Sequence, residues 1–185
     1  MIRSLIACLF AVAITAPCAA QADEGPVASG FISELKIGAL EHDVPGLWSH
    51  FRVERAAIDA NFEVLLHPVM SGLSGQLRPA VGVTVNPNGE TSKAYVDMRW
   101  QFAPGPVWYV AFGMGAAYHN GVLDPSDPTR KALGSHLLFH PSLELGLNLD
   151  AHSNVSLFFD HMSNANTQSY NEGMDTLGAR YGWKF

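Results

Sequence analysis

A histidine and a serine stand one residue apart in Phe158-Phe159-Asp160-His161-Met162-Ser163-Asn164-Ala165-Asn166, and a carboxylate follows in Asn171-Glu172-Gly173-Met174-Asp175-Thr176. A hydroxyl alone is a weak nucleophile. A neighbouring imidazole can take its proton near neutral pH, and an acid can fix the imidazole tautomer that makes this possible. These residue types are the minimum set for a Ser-His-acid hydrolase, and spacing decides whether they meet. Side chains alternate along a strand, so His161 and Ser163 share a face with Val155, Leu157 and Phe159, while Asp160 shares the other with Ser156 and Phe158. The i,i+2 separation places the two groups about 7 Å apart along the chain. From the last residue, Phe185, the alternate positions Trp183, Tyr181, Ala179 and Leu177 lead back to Asp175. A blander reading stays open here: polar residues at the wet end of a membrane strand cost about 0–1 kcal/mol and need no function. His-x-Ser is a weak motif, and the other histidines lie on loops or inner rows without a clear partner pattern.

The elements that would position these residues are strands. Alternation of period two dominates the chain, in runs near 30–41, 57–68, 76–86, 91–102, 106–119, 136–150, 153–164 and 174–185. Their lengths are comparable to the ~9–11 residues that a tilted strand needs to cross a bilayer. In 91–102, Ala94, Val96, Met98, Trp100 and Phe102 form an oily face against Lys93, Tyr95, Asp97, Arg99 and Gln101. In 57–68, Ile58, Ala60, Phe62, Val64 and Leu66 oppose Asp59, Asn61, Glu63, Leu65 and His67. The run 136–150 sets Leu137, Phe139, Leu143, Leu145, Leu147 and Leu149 against His140, Ser142, Glu144 and Asn148, with Pro141 a misfit in its outer row. A soluble sandwich would also alternate, but with strands of about 5–6 residues. The aromatic row ending at Phe185 matches the girdle of an outer-membrane barrel. The expected fold is therefore all-β, an eight-stranded antiparallel transmembrane β-barrel.

Loop lengths orient it. The short joins at Ala151-His152 and Ala103-Pro104-Gly105 suit the periplasmic side, and the longer connections 42–56, 120–135 and 165–173 suit the outside, with Asn86-Pro87-Asn88-Gly89 a short exception there. A barrel of this size is filled by its own side chains, so Glu34, Lys36, Asp59, Glu63, Asp97 and Arg99 are expected to pair inside it, which argues against a diffusion pore. Gly113 and Gly115 read as strand glycines that permit close packing.

Composition agrees. The 185 residues carry a formal net charge of -6, which offers no basic footprint for nucleic acid, and beyond the first twenty or so no window is apolar enough for a membrane helix. Arg3, the apolar stretch Leu5 to Thr15 and Ala20-Gln21-Ala22 read as a signal peptide, residues 1–22, leaving 23–185 as the barrel domain. Cys8 and Cys18 leave with it; a lipoprotein start at Cys18 competes, with Pro17 where a small residue is usual. No His/Cys cluster has convincing metal spacing and no glycine-rich phosphate loop is present.

The final hairpin, sharpest from Phe158 to Phe185, resembles that of the PagL family of outer-membrane lipid A 3-O-deacylases, also called acyloxyacyl hydrolase-like. The likeness is carried by His161-x-Ser163-Asn164-Ala165, Asn171-x-Gly173, the acid fourteen residues after the histidine and the aromatic terminus. It implies Ser163 as nucleophile, His161 as general base and Asp175 as the acid that orients it. Asn164 and Asn171 match family asparagines that shape the site or its oxyanion hole. The reaction implied is hydrolysis of the ester-linked 3-hydroxyacyl chain at position 3 of lipid A in lipopolysaccharide, in the outer leaflet of a Gram-negative outer membrane, without cofactor. One departure stands out: family members carry Glu where this chain has Asp175, one methylene shorter, and Glu172 is a poor substitute because its direction is uncertain. A non-catalytic structural or adhesive barrel and a phospholipid-directed lipase or acyltransferase are the competing readings. A homodimer is left open by the sequence.

Overall fold

The computed structural model describes residues 30–49 and 52–185; the segment 1–22, expected from its sequence to be a signal peptide, lies outside the described residues. The chain forms β1 (Ile32–Glu41), β2 (Ile58–Leu66), β3 (Met70–Gly72), β4 (Gly75–Val85), β5 (Lys93–Phe102), β6 (Trp108–His119), β7 (Leu137–Phe139), β8 (Ser142–Asn148), β9 (Ser153–Met162) and β10 (Met174–Lys184). The pairing runs β2-β1-β10-β9-β8-β6-β5-β4, and a further β2–β4 ladder closes it. All these pairs are antiparallel, giving a closed eight-stranded barrel.

Two elements differ from the expected runs for local reasons. The run 136–150 divides into β7 and β8 because Pro141 lacks an amide proton, yet the register is unbroken. Phe139 pairs with Ala116, Ser142 with Gly113, and between them His140 and Gly115 exchange both backbone hydrogen bonds. The two pieces are one stave of the wall. The short β3 was not foreseen; it folds back on β4 through Leu73 and Ser74, both at positive φ (45° and 58°).

The wall's polarity is the reverse of a soluble protein's. Ile37, Phe62, Val96, Met98, Phe112, Met114, Leu145, Leu157, Tyr181 and Trp183 face outward and exposed, while Lys36, Glu63, Arg99, Glu144 and Arg180 are buried inside. An apolar exterior of this kind is stable against lipid and costly against water. The interior ions must then be paired. Lys36 meets Glu144 at 2.5 Å and Glu34 at 3.5 Å, Arg99 meets Glu63 and, at 3.2 Å, Asp97, and Arg180 bridges Glu144 (2.5 Å) and Glu63 (3.1 Å). Arg180 and Arg99 also lie over the ring of Phe158, at 3.7 and 4.9 Å. Of the expected interior ions, Asp59 alone finds no strand cation: it pairs with His42 at 2.8 Å and accepts from Asn86 at 2.7 Å, at the barrel mouth. Gly115 is required by packing, since a Cβ there would come within 1.9 Å of the Val96 carbonyl oxygen.

The connections alternate between the two ends of the barrel. One end carries 103–107, 149–152 and the β3 hairpin; the other carries 42–57, 86–92, 120–136 and 163–173. The long-loop end is where the chemistry-bearing hairpin turns.

Candidate active site

β9 and β10 bring His161 and Asp175 together by register. The two are directly opposed partners in the ladder, so both side chains leave the sheet on the same outward face. His161 Nδ1 and Asp175 Oδ1 lie 2.6 Å apart. The missing methylene of the aspartate is immaterial at this distance, because direct opposition already places the two side chains side by side. Glu172 is engaged elsewhere: it accepts from the Ala132 amide at 2.7 Å and pairs with Arg52 at 3.2 Å.

Ser163 follows on the same row. It lies just past β9, but it bridges Phe139 in the register of the β8–β9 ladder, with Phe139 N donating to Ser163 O at 2.8 Å. No bulge intervenes, so His161 and Ser163 keep a common face. The Ser163 hydroxyl makes no hydrogen bond among the described residues, and it is half-buried. The structure therefore joins acid and base directly and keeps Ser163 on the same outward row as His161. Catalytic hydrogen bonds are often long or unformed without substrate.

The other face of the pair is closed by the connection 42–57, which the sequence did not single out. The backbone amides of Trp48 and Ser49 both donate to Asp175 Oδ2, each at 2.7 Å, and the amide of Val44 donates to the Asp175 carbonyl at 2.9 Å. The Trp48 ring stacks on the imidazole, with centroids 4.6 Å apart and planes 15° from parallel. His161 is consequently only 5% exposed although it points out of the barrel. Each Asp175 oxygen has a fixed partner, one the imidazole and the other the amide pair. That arrangement holds Nδ1 in its donor role and leaves Nε2 for a substrate-side proton. Below the pair, Leu47, Trp48, Leu143, Leu157, Phe159 and Leu177 line an apolar groove on the outer wall.

The asparagines organise the turn after Ser163. Asn164 Nδ2 donates to the carbonyls of Leu133 (3.0 Å) and Tyr170 (2.6 Å), and its backbone amide donates to Asn171 Oδ1 at 2.9 Å. Asn171 Nδ2 in turn reaches Asn166 Oδ1 at 3.0 Å. Of these Asn164 donor bonds, the one to Leu133 ties 163–173 to 120–136, and the other two close 163–173 on itself. Beneath this junction Leu133, Leu138, Met162 and Met174 form a small buried cluster. Gly173 has a positive φ of 63°, and a Cβ there would stand 2.9 Å from His161 Cε1, so the glycine also leaves room for the imidazole. Among the described residues no three His, Cys, Asp or Glu side chains converge as metal ligands.

A family model described as lipid A 3-O-deacylase (PagL) matches residues 46–184, most of the chain and all of this constellation. The chain belongs to the PagL family. It is accordingly an outer-membrane barrel esterase, a lipid A 3-O-deacylase. A solved structure titled as the crystal structure of the outer membrane enzyme PagL superposes with a TM-score of 0.59 at 17% identity, covering 81% of this chain and 99% of that one. At that identity the likeness bears on the fold, and it agrees with the barrel described above. A comparison with curated protein sequences gives no match.

Proposed function

We propose that this PagL-family barrel removes the ester-linked 3-hydroxyacyl chain at position 3 of lipid A by a Ser-His-Asp mechanism at the long-loop rim. The observation that carries this reading is the His161–Asp175 contact of 2.6 Å with Ser163 next on the same outward row. Asp175 orients the imidazole. Ser163 Oγ attacks the ester carbonyl carbon while His161 Nε2 takes its proton; the tetrahedral intermediate collapses, breaks the bond to the sugar oxygen, and His161 returns the proton to that oxygen. Water then adds to the acyl-serine with His161 again as base, releasing the 3-hydroxy fatty acid and restoring the Ser163 hydroxyl. Asn164 and Asn171 act by holding the turn that follows the nucleophile.

The site opens to the wall and not to the barrel interior, so lipid A reaches it laterally from the outer leaflet. The long-loop end is then extracellular. The groove of Leu47, Trp48, Leu143, Leu157, Phe159 and Leu177 takes acyl chain, since it lies one step along the same rows from His161 and Asp175 and runs down the lipid-facing wall.

The test is mass spectrometry of lipid A from membranes carrying the wild-type chain or Ser163→Ala at matched levels of folded barrel, with purified phospholipid assayed in parallel. Loss of one 3-hydroxyacyl mass with the wild type alone supports the reading. Equal loss with Ser163→Ala removes Ser163 as nucleophile, and cleavage confined to phospholipid replaces the substrate.

A further inference from the structure

The acid-base pair leans on backbone. Among the described residues Asp175 Oδ2 is held by the Trp48 and Ser49 amides, and those amides stand where they do while the connection that carries them keeps its shape. That shape is fixed at the base of the connection. The Glu54 amide donates to Asp43 Oδ2 at 2.7 Å, closing the connection on itself, and Asp43 Oδ1 pairs with Lys131 Nζ at 2.8 Å. The Glu54 carboxylate, 3% exposed, gathers donors from every neighbouring segment. Its Oε1 accepts from Thr91 Oγ1 (2.9 Å), Arg130 Nε (3.1 Å) and the Lys131 amide (3.2 Å); its Oε2 meets the Thr91 amide (3.0 Å) and His42 Nε2 (3.2 Å). One buried carboxylate thus ties 42–57 to 86–92 and to 120–136.

We propose that Glu54 is a positioning residue for the deacylation, acting on Asp175 and His161 through the connection that carries Trp48 and Ser49. The proposal rests on the roles assigned to His161 and Asp175 above. None of the barrel ladders uses Glu54, so its loss frees the connection and leaves the wall intact. Without the carboxylate, buried donors on Thr91, Arg130 and Lys131 lose their acceptor, and the junction of the three connections loosens, left to the Asp43–Lys131 pair (2.8 Å) and the Arg130–Thr91 bond (3.1 Å). The amide pair then withdraws from Asp175, the carboxylate turns, and the imidazole loses both its orienting partner and the Trp48 stack. Leu143, Leu157, Phe159 and Leu177 belong to the wall and keep their places in the acyl groove, while Leu47 and Trp48 move with the connection, so the loss falls chiefly on kcat.

The experiment compares purified, folded wild type, Glu54→Ala, Glu54→Gln, Ser163→Ala and Glu34→Gln on lipid A in detergent. Glu34 is a control of equal burial at the opposite end of β1, paired with Arg78 at 2.8 Å. Initial rates give kcat and KM separately, and proton NMR follows the His161 Nδ1–H in its bond to Asp175. Glu54→Ala should lower kcat about ten- to a hundredfold with a smaller rise in KM, the scale expected from a small misplacement far from the reacting atoms. The Nδ1–H signal should weaken or vanish. Glu34→Gln should lower the unfolding temperature and keep kcat and the signal. If Glu54→Ala does not fold, Glu54→Gln, which keeps the volume and one acceptor, must show the same split in smaller measure. A kcat within about twofold of wild type in a folded Glu54 variant overturns the proposal, as does a fall that tracks stability equally in Glu54 and Glu34 variants. Full activity of Ser163→Ala would instead overturn the mechanism itself.

Discussion

Asp175 shows how one residue's reach depends on what stands opposite it. An aspartate is a methylene shorter than the family's usual glutamate, and the deficit closes here because Asp175 and His161 are ladder partners and because two amides meet the far oxygen. The site is therefore fitted to the shorter acid. Asp175→Glu should push the carboxylate off the Trp48 and Ser49 amides and lower kcat about tenfold, whereas Asp175→Asn, which keeps the shape but stabilises no imidazolium and favours the wrong tautomer, should cost on the order of 10³–10⁴ in kcat. Steady-state kinetics on lipid A with both variants checks this. A glutamate variant as active as wild type would mean that the amide pair does not matter. The His161, Ser163 and Asp175 row was legible in the sequence because strand parity alone puts those side chains on one face. Trp48 and Ser49 were not, since the atoms they supply to Asp175 are backbone amides, which every non-proline residue carries.

The connection 42–57 reads in sequence as an outer loop, and only its contacts show that His42, Asp43 and Glu54 are buried. His42 sits between Asp59 and Glu54, with Asp43, Lys131 and Arg130 packed around them. Burial alone would lower its pKa, but the hydrogen bonds to Asp59 and Glu54 outweigh burial and raise it to about 9 from 6.5. Glu54 is held down at about 2 against 4.5: burial would raise it, and the bonds from His42, Thr91 and Lys131 prevail. The signs follow from linkage. His42, raised on folding, contributes stability that is complete below pH 6.5 and lost as pH climbs through about 9; Glu54, lowered, contributes stability that is present above pH 4.5 and lost as pH falls toward 2. Hydrogen exchange of the amides of 42–57 should accordingly be slowest between pH 4.5 and 6.5 after correction for intrinsic rates, and His42→Gln should flatten the alkaline limb. An unchanged alkaline limb in that variant would show that His42 does not carry the charge. Gly173 belongs to the same scale. Gly173→Ala places a Cβ against His161 Cε1 at a positive φ, and should cost about 1 kcal/mol of stability together with a fall in kcat. Thermal unfolding and kinetics of that one variant separate the two effects.

For the molecule as a whole, the barrel was the most legible feature, because an alternation of oily and charged rows repeated along the chain is compatible with a closed wall in lipid and with little else. The pairing inside it was less so. Parity identified which ions point inward, but which one meets which depends on the shear between staves, so the joint between Arg180, Glu63 and Glu144 appears only in three dimensions. That joint allows opposite polarity rules on the two surfaces to be compared directly. Arg180 is buried with both carboxylates against it, and removing it leaves Glu63 and Glu144 to Arg99 and Lys36. Arg180→Met should cost about 3–5 kcal/mol in urea unfolding from lipid vesicles, and Arg180→Met with Glu144→Met should recover part of that, because the second change removes the stranded charge. On the outer wall the same guanidinium does the reverse. Val96, exposed on β5 between Tyr95 and Asp97, faces lipid, and Val96→Arg should cost about 2–4 kcal/mol with no partner able to repair it. If losing an arginine inside and gaining one outside both destabilise, with rescue only inside, the wall separates a paired ionic core from hydrocarbon. A neutral Val96→Arg would place that part of β5 outside the hydrocarbon and shift the membrane along the barrel, away from the rim where Asp175 and His161 stand.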